Sequence, residues 1–460
     1  MTSSPSLSPD SRARAALVAA LGAAKILENP GEPYDRDSSS YTAVPDLVVL
    51  AECVEDVQQV MRLANEHGFA VIPRGGGTGT SGGCVALGGG VVLSLERMNR
   101  IVSIHTENLV AVVEPGVITQ TLRDAAAAKG LFYPPDPAGM DASTIGGNVA
   151  TNAGGPACVK YGVTRDYVLG VEAVTPTGER IRAGVQTRKG VVGYDMAHLL
   201  CGSEGTLGVI TGLTLKLIPL PAATVGLAAV FASMADAMRA VTAILTAGHL
   251  PSALEFLDHK CLQLAGDDLP FSVPGCTASL LIVELDGARD QITAEMEAVK
   301  GICVATGATH TMPGGTEEER ERIWGVRRRT STRIRAHAPI TISEDIAVPI
   351  GRIAPFIELV PGFEEEFGLD IFCFGHAGDG NIHLIVTAPE RSEKHRVDDG
   401  IRAIVQQVLD MGGTLSGEHG IGEAKKGLLP MELSPESIRL QRGIRRVFDP
   451  NGVLNPGKVF

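Results

Sequence analysis

Three histidines and one glutamate in the last quarter of the chain have a spacing suited to metal chemistry. Between His376 and His383 lies Asp379-Gly380, which predicts a two-residue type I′ hairpin because both central residues of that turn need positive φ. This pairing would set His376 directly opposite His383, with Cβ atoms about 5 Å apart. Two imidazoles at that separation could bind one divalent ion. Glu418 could add a carboxylate, and the adjacent His419 could remain free as a base.

Length and composition restrict the class of protein. The chain has 460 residues, of which 44% are hydrophobic and 20% are charged, as is ordinary for a globular enzyme. This length corresponds to about two to four domains. A formal net charge of −13 argues against nucleic-acid binding as the main role. No apolar run reaches 18 residues, so no membrane span is predicted.

The cysteines and the N-terminus indicate the cellular compartment. The eight cysteines are dispersed, and no two have the Cys-X-X-Cys spacing of iron–sulfur or zinc-ribbon sites. This pattern favours reduced thiols in a cytosolic protein. The apolar stretch 15–24 follows two arginines, as in signal peptides. We prefer a short surface helix, because Pro9-Asp10-Ser11 is a helix-start signal and no convincing cleavage site follows.

Hydrophobic patterns divide the chain into two parts. They predict helices over 51–70, 119–129, 234–247 and 292–306, and strands over 70–73, 90–95, 109–113, 168–175, 208–218, 225–231, 253–257, 278–285, 340–348 and 370–374. The segment Pro219-Leu220-Pro221 predicts a domain boundary. Strand–helix–strand alternation beyond it indicates a second α+β or α/β unit.

Three glycine-rich loops have the composition of backbone that binds an anion. Residues 74–83, 134–156 and 202–211 combine glycines with hydroxyl and amide side chains. Successive glycine N–H groups can form an anion-binding nest, and bare backbone can approach a pyrophosphate closely. The first loop leads into a strand, unlike the dinucleotide fingerprint, and lacks the Gly-Lys-Ser/Thr ending of a P-loop. A plain surface loop is the alternative for that first loop.

In this order and spacing, the three loops resemble the FAD-binding domain of the vanillyl-alcohol-oxidase-type flavoproteins. The resemblance continues through Trp324-Gly325-Val326-Arg327, the histidine segments and the Asp449-Pro450 ending, so it covers about 40 to 460. It is closest to the branch of D-lactate dehydrogenases, the glycolate oxidase catalytic subunit and D-2-hydroxyglutarate dehydrogenase. The implied fold class is α+β, with two α/β subdomains forming an FAD-binding domain over 1–221. A substrate or cap domain over 222–410 would have a mainly antiparallel sheet flanked by helices, and 411–460 would return to the FAD domain.

The resemblance assigns the loops to FAD. Because residues 73–83 contain no His or Cys, FAD is expected to be held without a covalent bond. The residues implied to bind it are Arg74, Gly75, Gly76, Gly77, Thr78, Gly79, Thr80, Ser81, Pro135, Asp136, Ser143, Thr144, Gly147, Asn148, Thr151, Asn152, Gly154, Gly155, Gly205, Gly208, Val209, Ile210 and Asn455.

The resemblance also assigns roles in the chemistry. His376, His383 and Glu418 correspond to ligands of one divalent metal, for which zinc and manganese are the first choices. His419 corresponds to the base, while hydride passes to flavin N5. Arg327 corresponds to the arginine that grips the substrate carboxylate, with Arg328 and Arg329 as competitors. A structural histidine is the alternative for each ligand, and a solvated helix face with ion pairs is the alternative for the arginines.

Two positions narrow the substrate. Hydroxyglutarate enzymes carry a lysine and an asparagine where this chain has Ser343 and Ile385. Serine supplies no positive charge and isoleucine no hydrogen bond, which favours a monocarboxylate such as D-lactate or glycolate. D-2-Hydroxyglutarate dehydrogenation, a non-redox transferase on the same flavin fold, and a binding subunit with a dead site are the alternatives.

The electron acceptor is expected to be a separate molecule. No cluster motif or nicotinamide fingerprint is present, so electrons would leave to a quinone, a cytochrome, an electron-transfer flavoprotein or an iron–sulfur subunit. We expect a cytoplasmic protein, held at the inner face of the membrane only through a partner. A homodimer is one option for its assembly, and no nucleic acid is expected to bind.

Overall fold

The chain forms two compact units. The computed structural model describes residues 7–28, 30–265, 275, 277–336, 340–388 and 394–460. The first unit comprises Met1–Gly154, Val163–Leu220 and Glu418–Phe460, and the second comprises Gly155–Gly162 and Pro221–Gly417. Each unit is therefore built from separate stretches of the sequence.

Local signals in the sequence begin and end the helices. The Asp10 side chain accepts a hydrogen bond from the Ala13 amide at 2.8 Å, so the first helix begins where the sequence predicts. Gly68, with a φ of 73°, ends the second helix before the predicted limit. The helices α1 to α14 are Ser11–Leu21, Val54–His67, Thr119–Ala127, Ile145–Thr151, Cys158–Tyr161, Met196–Leu200, Met234–Thr246, His259–Ala265, Arg289–Ala305, Glu317–Arg335, Ile353–Phe367, Lys394–Asp410, Leu429–Glu432 and Pro435–Phe448.

The strands include those that the sequence predicts, with bounds shifted by a few residues. The strands β1 to β18 are Ile26–Glu28, Leu47–Leu50, Val71–Arg74, Val91–Ser94, Ile101–His105, Val110–Val113, Leu131–Phe132, Val168–Val174, Arg180–Gly184, Val209–Lys216, Ile218–Pro219, Ala223–Phe231, Ala253–Leu257, Ser279–Gly287, Ala308–Gly314, Ile340–Ala347, Asp370–His376 and Asn381–Ala388. Among the described residues, no helix has the length and apolar character needed to span a bilayer.

The first unit contains a small mixed sheet with the strand order β1-β2-β4-β3. Strands β2 and β3 pair in parallel with β4, whereas β1 is antiparallel to β2. Helix α2 packs against this sheet through Val57, Val60 and Met61, which share one buried cluster with the strand residues. The C-terminal segment runs beside β3, since the Val71 amide donates to the Val453 carbonyl at 2.8 Å. The end of the chain therefore lies next to the strand that leads into the first glycine-rich loop.

A second sheet of the first unit has the order β5-β6-β10-β8-β9 and is antiparallel throughout. The third glycine-rich loop leads into its central strand β10. Helix α4 packs against the same strand and carries part of the second loop. This sheet thus positions two of the three loops.

The second unit is built on a seven-stranded antiparallel sheet with the order β15-β12-β14-β13-β17-β18-β16. Helices α8 and α10 cover one face, where Ile282, Phe374 and Ile385 belong to a buried cluster with residues of both helices. Helices α7 and α9 also pack on β12 and β14, and alternate residues such as Leu281 are equally buried, so both faces are covered. The predicted antiparallel sheet flanked by helices is confirmed.

Candidate functional site

A pocket in the first unit is lined by the three glycine-rich loops. Members of the predicted FAD set in its lining are Arg74, Gly75, Gly76, Gly77, Thr78, Gly79, Thr80, Ser81, Ser143, Thr144, Gly147, Asn148, Thr151, Gly154, Gly205, Gly208 and Ile210. Glu418 and His419 line the same pocket. Other predicted residues of the first unit lie outside the lining, namely Pro135, Asp136, Asn152, Val209 and Asn455. Gly155 belongs to the second unit.

Two glycines are required because the first and second loops cross in contact. A Cβ atom on Gly76 would lie 2.2 Å from the Ala142 carbonyl oxygen, and one on Gly75 would lie 2.4 Å from Thr144 Oγ1. Any side chain at Gly76 would therefore push the two backbones apart. The absence of side chains lets both loops line a single pocket.

The lining of this pocket has donors and surfaces that fit FAD. Glycine backbone amides and the hydroxyls of Thr78, Ser81 and Ser143 supply hydrogen bonds of the kind that phosphates and a ribityl chain require. Leu95 and Ile210 supply apolar surface for a flat ring system. The cavity thus offers polar groups along the glycine loops and apolar surface at Leu95 and Ile210.

Cys84 follows the first loop and also lines the pocket. Burial raises the pKa of its thiol to about 11, so the neutral thiol predominates near pH 7. Since the thiolate is the nucleophilic form, Cys84 is poorly suited to attach a flavin covalently. This agrees with the expectation of non-covalent FAD.

The guanidinium of Arg74 is occupied by contacts within the protein. Its Nη1 donates to the Arg36 carbonyl at 2.6 Å, and its Nη2 donates to the Pro33 carbonyl at 2.7 Å. The side chain is 5% exposed. Arg74 therefore ties the start of the first loop to the segment 33–36 by hydrogen bonds. Its place in the pocket lining does not by itself make it a cofactor ligand.

Glu204 holds the loop that carries Glu418 and His419. Its Oε1 accepts from the Ile421 amide and its Oε2 from the Gly422 amide, both at 2.8 Å. Burial raises the pKa of the Glu204 carboxyl group, although these two hydrogen bonds oppose the shift. Sequence reasoning missed this role, for which the only signal was a carboxylate inside a glycine-rich loop.

The predicted hairpin at the histidine segment is present, but its predicted register is wrong. Strand β17 ends at His376 and β18 begins at Asn381, so the turn contains four residues instead of two. His376 pairs with Asn381, and His383 pairs with Phe374. Tertiary hydrogen bonds hold this wider turn at both ends, because the Ala377 amide donates to the Leu254 carbonyl at 2.7 Å and the Val348 amide donates to the Gly380 carbonyl at 3.0 Å.

The two histidines nevertheless meet on one face of the sheet. Their positions are offset by two residues across the β17–β18 pair, and their Nε2 atoms lie 3.4 Å apart. Both side chains are buried, with exposures of 4% for His376 and 7% for His383. Bonds of about 2.0–2.1 Å to a tetrahedral ion place two nitrogens about 3.3–3.4 Å apart. The pair thus fits two ligands of one divalent ion.

A buried glutamate joins this pair to Arg327. Glu255 of β13 is fully buried, and its Oε1 accepts a hydrogen bond from His376 Nδ1. Its Oε2 accepts from Arg327 Nε at 2.7 Å. The Arg327 guanidinium carbon lies 4.5 Å from the centre of the Phe374 ring. The arginine and the histidine pair therefore share one face of the sheet and one carboxylate.

The charges around Glu255 decide its protonation. Burial alone would raise its pKa, but the hydrogen bonds and electrostatic attraction from His376 and Arg327 outweigh burial and lower the pKa below its ordinary value. Glu255 is therefore a carboxylate that accepts hydrogen bonds from both neighbours. Sequence reasoning missed it, although a lone carboxylate in the apolar strand Ala253–Leu257 was an available signal.

Asp345 lies beside the second histidine. It pairs with His383 across β16 and β18, and its Oδ1 lies 3.7 Å from His383 Nδ1. Asn381 Nδ2 donates to the same oxygen at 2.6 Å, and Ser416 Oγ donates to Oδ2 at 3.3 Å. Asp345 borders His383 from β16, and Asn381, which pairs with His376 across β17 and β18, joins it in one polar group.

Ser343 and Ile385, the two positions that bear on substrate choice, lie directly opposite each other in the β16–β18 pair. Ile385 is 1% exposed and belongs to the apolar cluster under α8 and α10. Ile385 lies two positions after His383 in β18, and Ser343 lies two positions before Asp345 in β16, so both face the same side of the sheet as His383. Neither residue of this pair carries a charge, and only Ser343 has a hydrogen-bonding side chain.

The other two arginines of α10 differ from Arg327. Arg328 and Arg329 are exposed, and Arg328 pairs with Glu321 on the same helix. The side chain of Arg327 is only 13% exposed and points at the histidine–glutamate cluster. Arg327 therefore contacts that cluster directly.

Comparisons with known families divide the chain in two. The family described as FAD binding domain matches residues 45–184, and the family described as FAD linked oxidases, C-terminal domain, matches residues 220–459. The second match alone spans more than half of the chain. The two matches together include the first two glycine-rich loops and both histidine segments, and the third loop lies between the matches.

Individual proteins are similar over nearly the whole length. A protein named glycolate oxidase subunit GlcD from Bacillus subtilis (strain 168) is 39% identical over 430 residues, which cover 93% of this chain and 92% of that protein. A D-lactate dehydrogenase from Anaerostipes hadrus is 37% identical over 427 residues, covering 91% and 90%. The solved structure of p-cresol methylhydroxylase has a TM-score of 0.80 at 19% identity and covers 97% of this chain and 96% of its own, a likeness of fold.

Proposed function

The chain belongs to the family of FAD-linked oxidases, and we propose from this premise that it oxidises a D-2-hydroxy acid to the 2-oxo acid. The observation that carries the proposal is the buried His376–His383 pair, spaced for one ion and joined through Glu255 to Arg327. The reaction removes a proton from the hydroxyl group and a hydride from C2. When FAD is bound, it would supply the acceptor for this hydride at its N5 atom.

The protein side chains would bind the substrate and remove its proton. Arg327 would hold the substrate carboxylate, because a guanidinium presents two parallel N–H groups to a carboxylate. His419 would accept the hydroxyl proton on an imidazole nitrogen. Its position in the lining of the FAD pocket supports this role.

His376 and His383 would hold one divalent metal, zinc or manganese by preference. The ion would supply Lewis acidity that lowers the pKa of the substrate hydroxyl. The N–N separation of 3.4 Å supports the two histidine ligands. Glu418 is kept as the carboxylate ligand on the sequence resemblance.

The substrate proposed is a monocarboxylate such as D-lactate or glycolate. The support is the apolar Ile385 opposite the uncharged Ser343, since isoleucine supplies no hydrogen bond and serine no positive charge for a second carboxylate. Electrons would pass from the reduced protein to an external acceptor. The name of the Bacillus subtilis relative describes a subunit, which makes a partner protein one candidate for that acceptor.

The decisive experiment is anaerobic bleaching of the flavin absorbance. We expect a yellow protein that is bleached by D-lactate or glycolate, and much more slowly by D-2-hydroxyglutarate or the L-enantiomers. Preferential bleaching by D-2-hydroxyglutarate would overturn the substrate class. A protein that retains FAD but is bleached by no 2-hydroxy acid would overturn the proposed reaction.

Two histidine variants separate the proposed roles. His383→Ala should lose the metal, because the remaining imidazole is a much weaker site than the pair, while FAD is retained. His419→Ala should keep both metal and FAD but lose turnover, because only the proton acceptor is removed. Metal analysis and flavin absorbance measure the first two quantities independently of activity. Full metal content in His383→Ala would refute the role of the histidine pair.

A further inference from the structure

Glu255 stands out because a carboxylate is unfavourable where it lies. The strand Ala253–Leu257 is buried at all five positions, and Glu255 is the one charged residue among them. Burying an ionised carboxylate is costly unless excellent hydrogen bonds compensate for its lost hydration. The two partners of Glu255 therefore have to account for its presence.

We infer that Glu255 is a positioning residue that sets His376 for metal binding and Arg327 for substrate binding at the same time. This inference rests on the proposed function and deepens it. The residue touches neither substrate nor cofactor in this scheme and acts through its two neighbours. Each of its oxygens has a different partner, so one side chain controls both.

The first effect is on the histidine. Because Glu255 accepts the hydrogen bond from His376 Nδ1, the proton is held on Nδ1 and the lone pair is left on Nε2. That nitrogen is the one that lies 3.4 Å from His383 Nε2. Glu255 therefore selects the tautomer and the ring orientation in which the pair can bind an ion.

The second effect is on the arginine. Arg327 uses Nε for Glu255, and its guanidinium stacks on Phe374 at 4.5 Å. These two contacts fix the plane of the guanidinium and leave the Nη donors as the groups that would meet a carboxylate. The distance between the metal-binding and carboxylate-binding groups is thereby set by one rigid strand residue.

Glu255→Gln is the informative variant because it keeps the shape and removes one acceptor. The Gln amide can accept from only one partner, and its NH2 group then faces the other. If that NH2 group donates to His376 Nδ1, the proton moves to Nε2, which can no longer bind a metal. Either arrangement disturbs one of the two neighbours.

The measurement is the affinity of purified holoenzyme for Zn²⁺, determined by competition with a chelator, together with steady-state kinetics. We expect Glu255→Gln to weaken Zn²⁺ binding by about 10- to 100-fold, as loss of a carboxylate partner of a ligating histidine does. KM for the 2-hydroxy acid should rise as well. FAD content should be unchanged, because the pocket belongs to the first unit.

Glu284→Gln is the matched control. Glu284 lies on the adjacent strand β14, is largely buried on the same sheet face, and accepts from Trp324 Nε1 at 2.9 Å. Its substitution removes a buried charge without touching either neighbour of Glu255, so Zn²⁺ affinity and KM should stay within about twofold of the wild type. A loss in this variant equal to that in Glu255→Gln would show a general packing effect and overturn the inference.

The outcomes separate this inference from the proposed function. Failure of the wild type to bind Zn²⁺ would refute the metal site itself. Wild-type Zn²⁺ affinity and KM in Glu255→Gln, with a functional wild type, would refute the positioning role alone. If Glu255→Gln does not fold, Glu255→Asp keeps the charge and withdraws it by one methylene. Weakened Zn²⁺ binding in that variant would support the inference, and unchanged binding would overturn it.

Discussion

Gly76→Ala tests whether the two loops of the FAD pocket cross as the structure has them. The added Cβ would lie 2.2 Å from the Ala142 carbonyl oxygen, whereas an ordinary C···O approach is about 3.3 Å. The obstacle is backbone, so it cannot rotate away. The two loops must separate by about 1 Å.

The cost of that separation can be estimated. Overpacking of a tight contact costs about 1–3 kcal/mol. If FAD binding restores the crossed arrangement, the cost appears in its affinity, and Kd for FAD rises by about 5- to 150-fold. The assay is a titration of the apoprotein with FAD, in which binding is measured by the quenching of flavin fluorescence.

Gly75→Ala is a milder version of the same substitution. Its Cβ would meet Thr144 Oγ1, a side-chain atom that can rotate. Rotation gives up the hydrogen bond from the Gly147 amide to that oxygen at the start of α4, which costs about 1 kcal/mol. Gly75→Ala should therefore weaken FAD binding by about fivefold, less than Gly76→Ala.

Gly443→Ala provides the control. Gly443 lies inside the exposed helix α14, and a Cβ there would meet nothing within 4 Å. Alanine in a helix interior is favoured over glycine by about 0.5–1 kcal/mol, so this variant should be slightly more stable and bind FAD normally. Wild-type FAD affinity in Gly76→Ala would refute the crossing of the loops.

Two further predictions concern buried carboxylates of the first unit. Asp56 accepts from Lys25 Nζ at 2.7 Å, and although burial raises the pKa of Asp56, Lys25 outweighs it and lowers the pKa below the ordinary value. The stabilisation is therefore complete above about pH 4 and is lost as the pH falls further. Thermal unfolding of Asp56→Asn should show a loss of about 1–3 kcal/mol in the free energy of unfolding at pH 7, and a progressively smaller loss below pH 4. A difference from the wild type that does not change with pH would contradict the role of the Asp56 charge. Glu204→Gln removes one of two backbone acceptors, so hydrogen exchange of the Ile421 or Gly422 amide should accelerate by about tenfold or more. Unchanged protection of both amides would show that Glu204 does not hold the loop.

Much of the fold could be predicted because local rules decide it. Helix α1 begins at Asp10 and α2 ends at Gly68, since capping depends on neighbouring residues in the sequence. Strand β13 was predicted with its observed bounds. The strand order of the seven-stranded sheet could not be predicted, because it depends on pairing between segments far apart in the chain.

The hairpin at the histidines shows where local rules fail. The Asp379-Gly380 pair predicts a hairpin, and a hairpin is present, with Gly380 at a φ of 87°. Its register differs from the predicted one, and both ends of its four-residue turn bond outside the hairpin, Ala377 to Leu254 and Gly380 to Val348. A local turn rule takes no account of such tertiary hydrogen bonds, so it could not predict the register.

The sequence by itself determined which chemical groups the chain carries and where glycine leaves backbone bare. The types and spacing of His376 and His383, and the clustering of glycine before β4, were readable without coordinates. Only the tertiary structure decided that Glu255 joins Arg327, 72 residues away, to His376, 121 residues away. The physical reason is that a buried carboxylate is stable only beside its partners, and the pairing of β13 with β17 brings those partners to it.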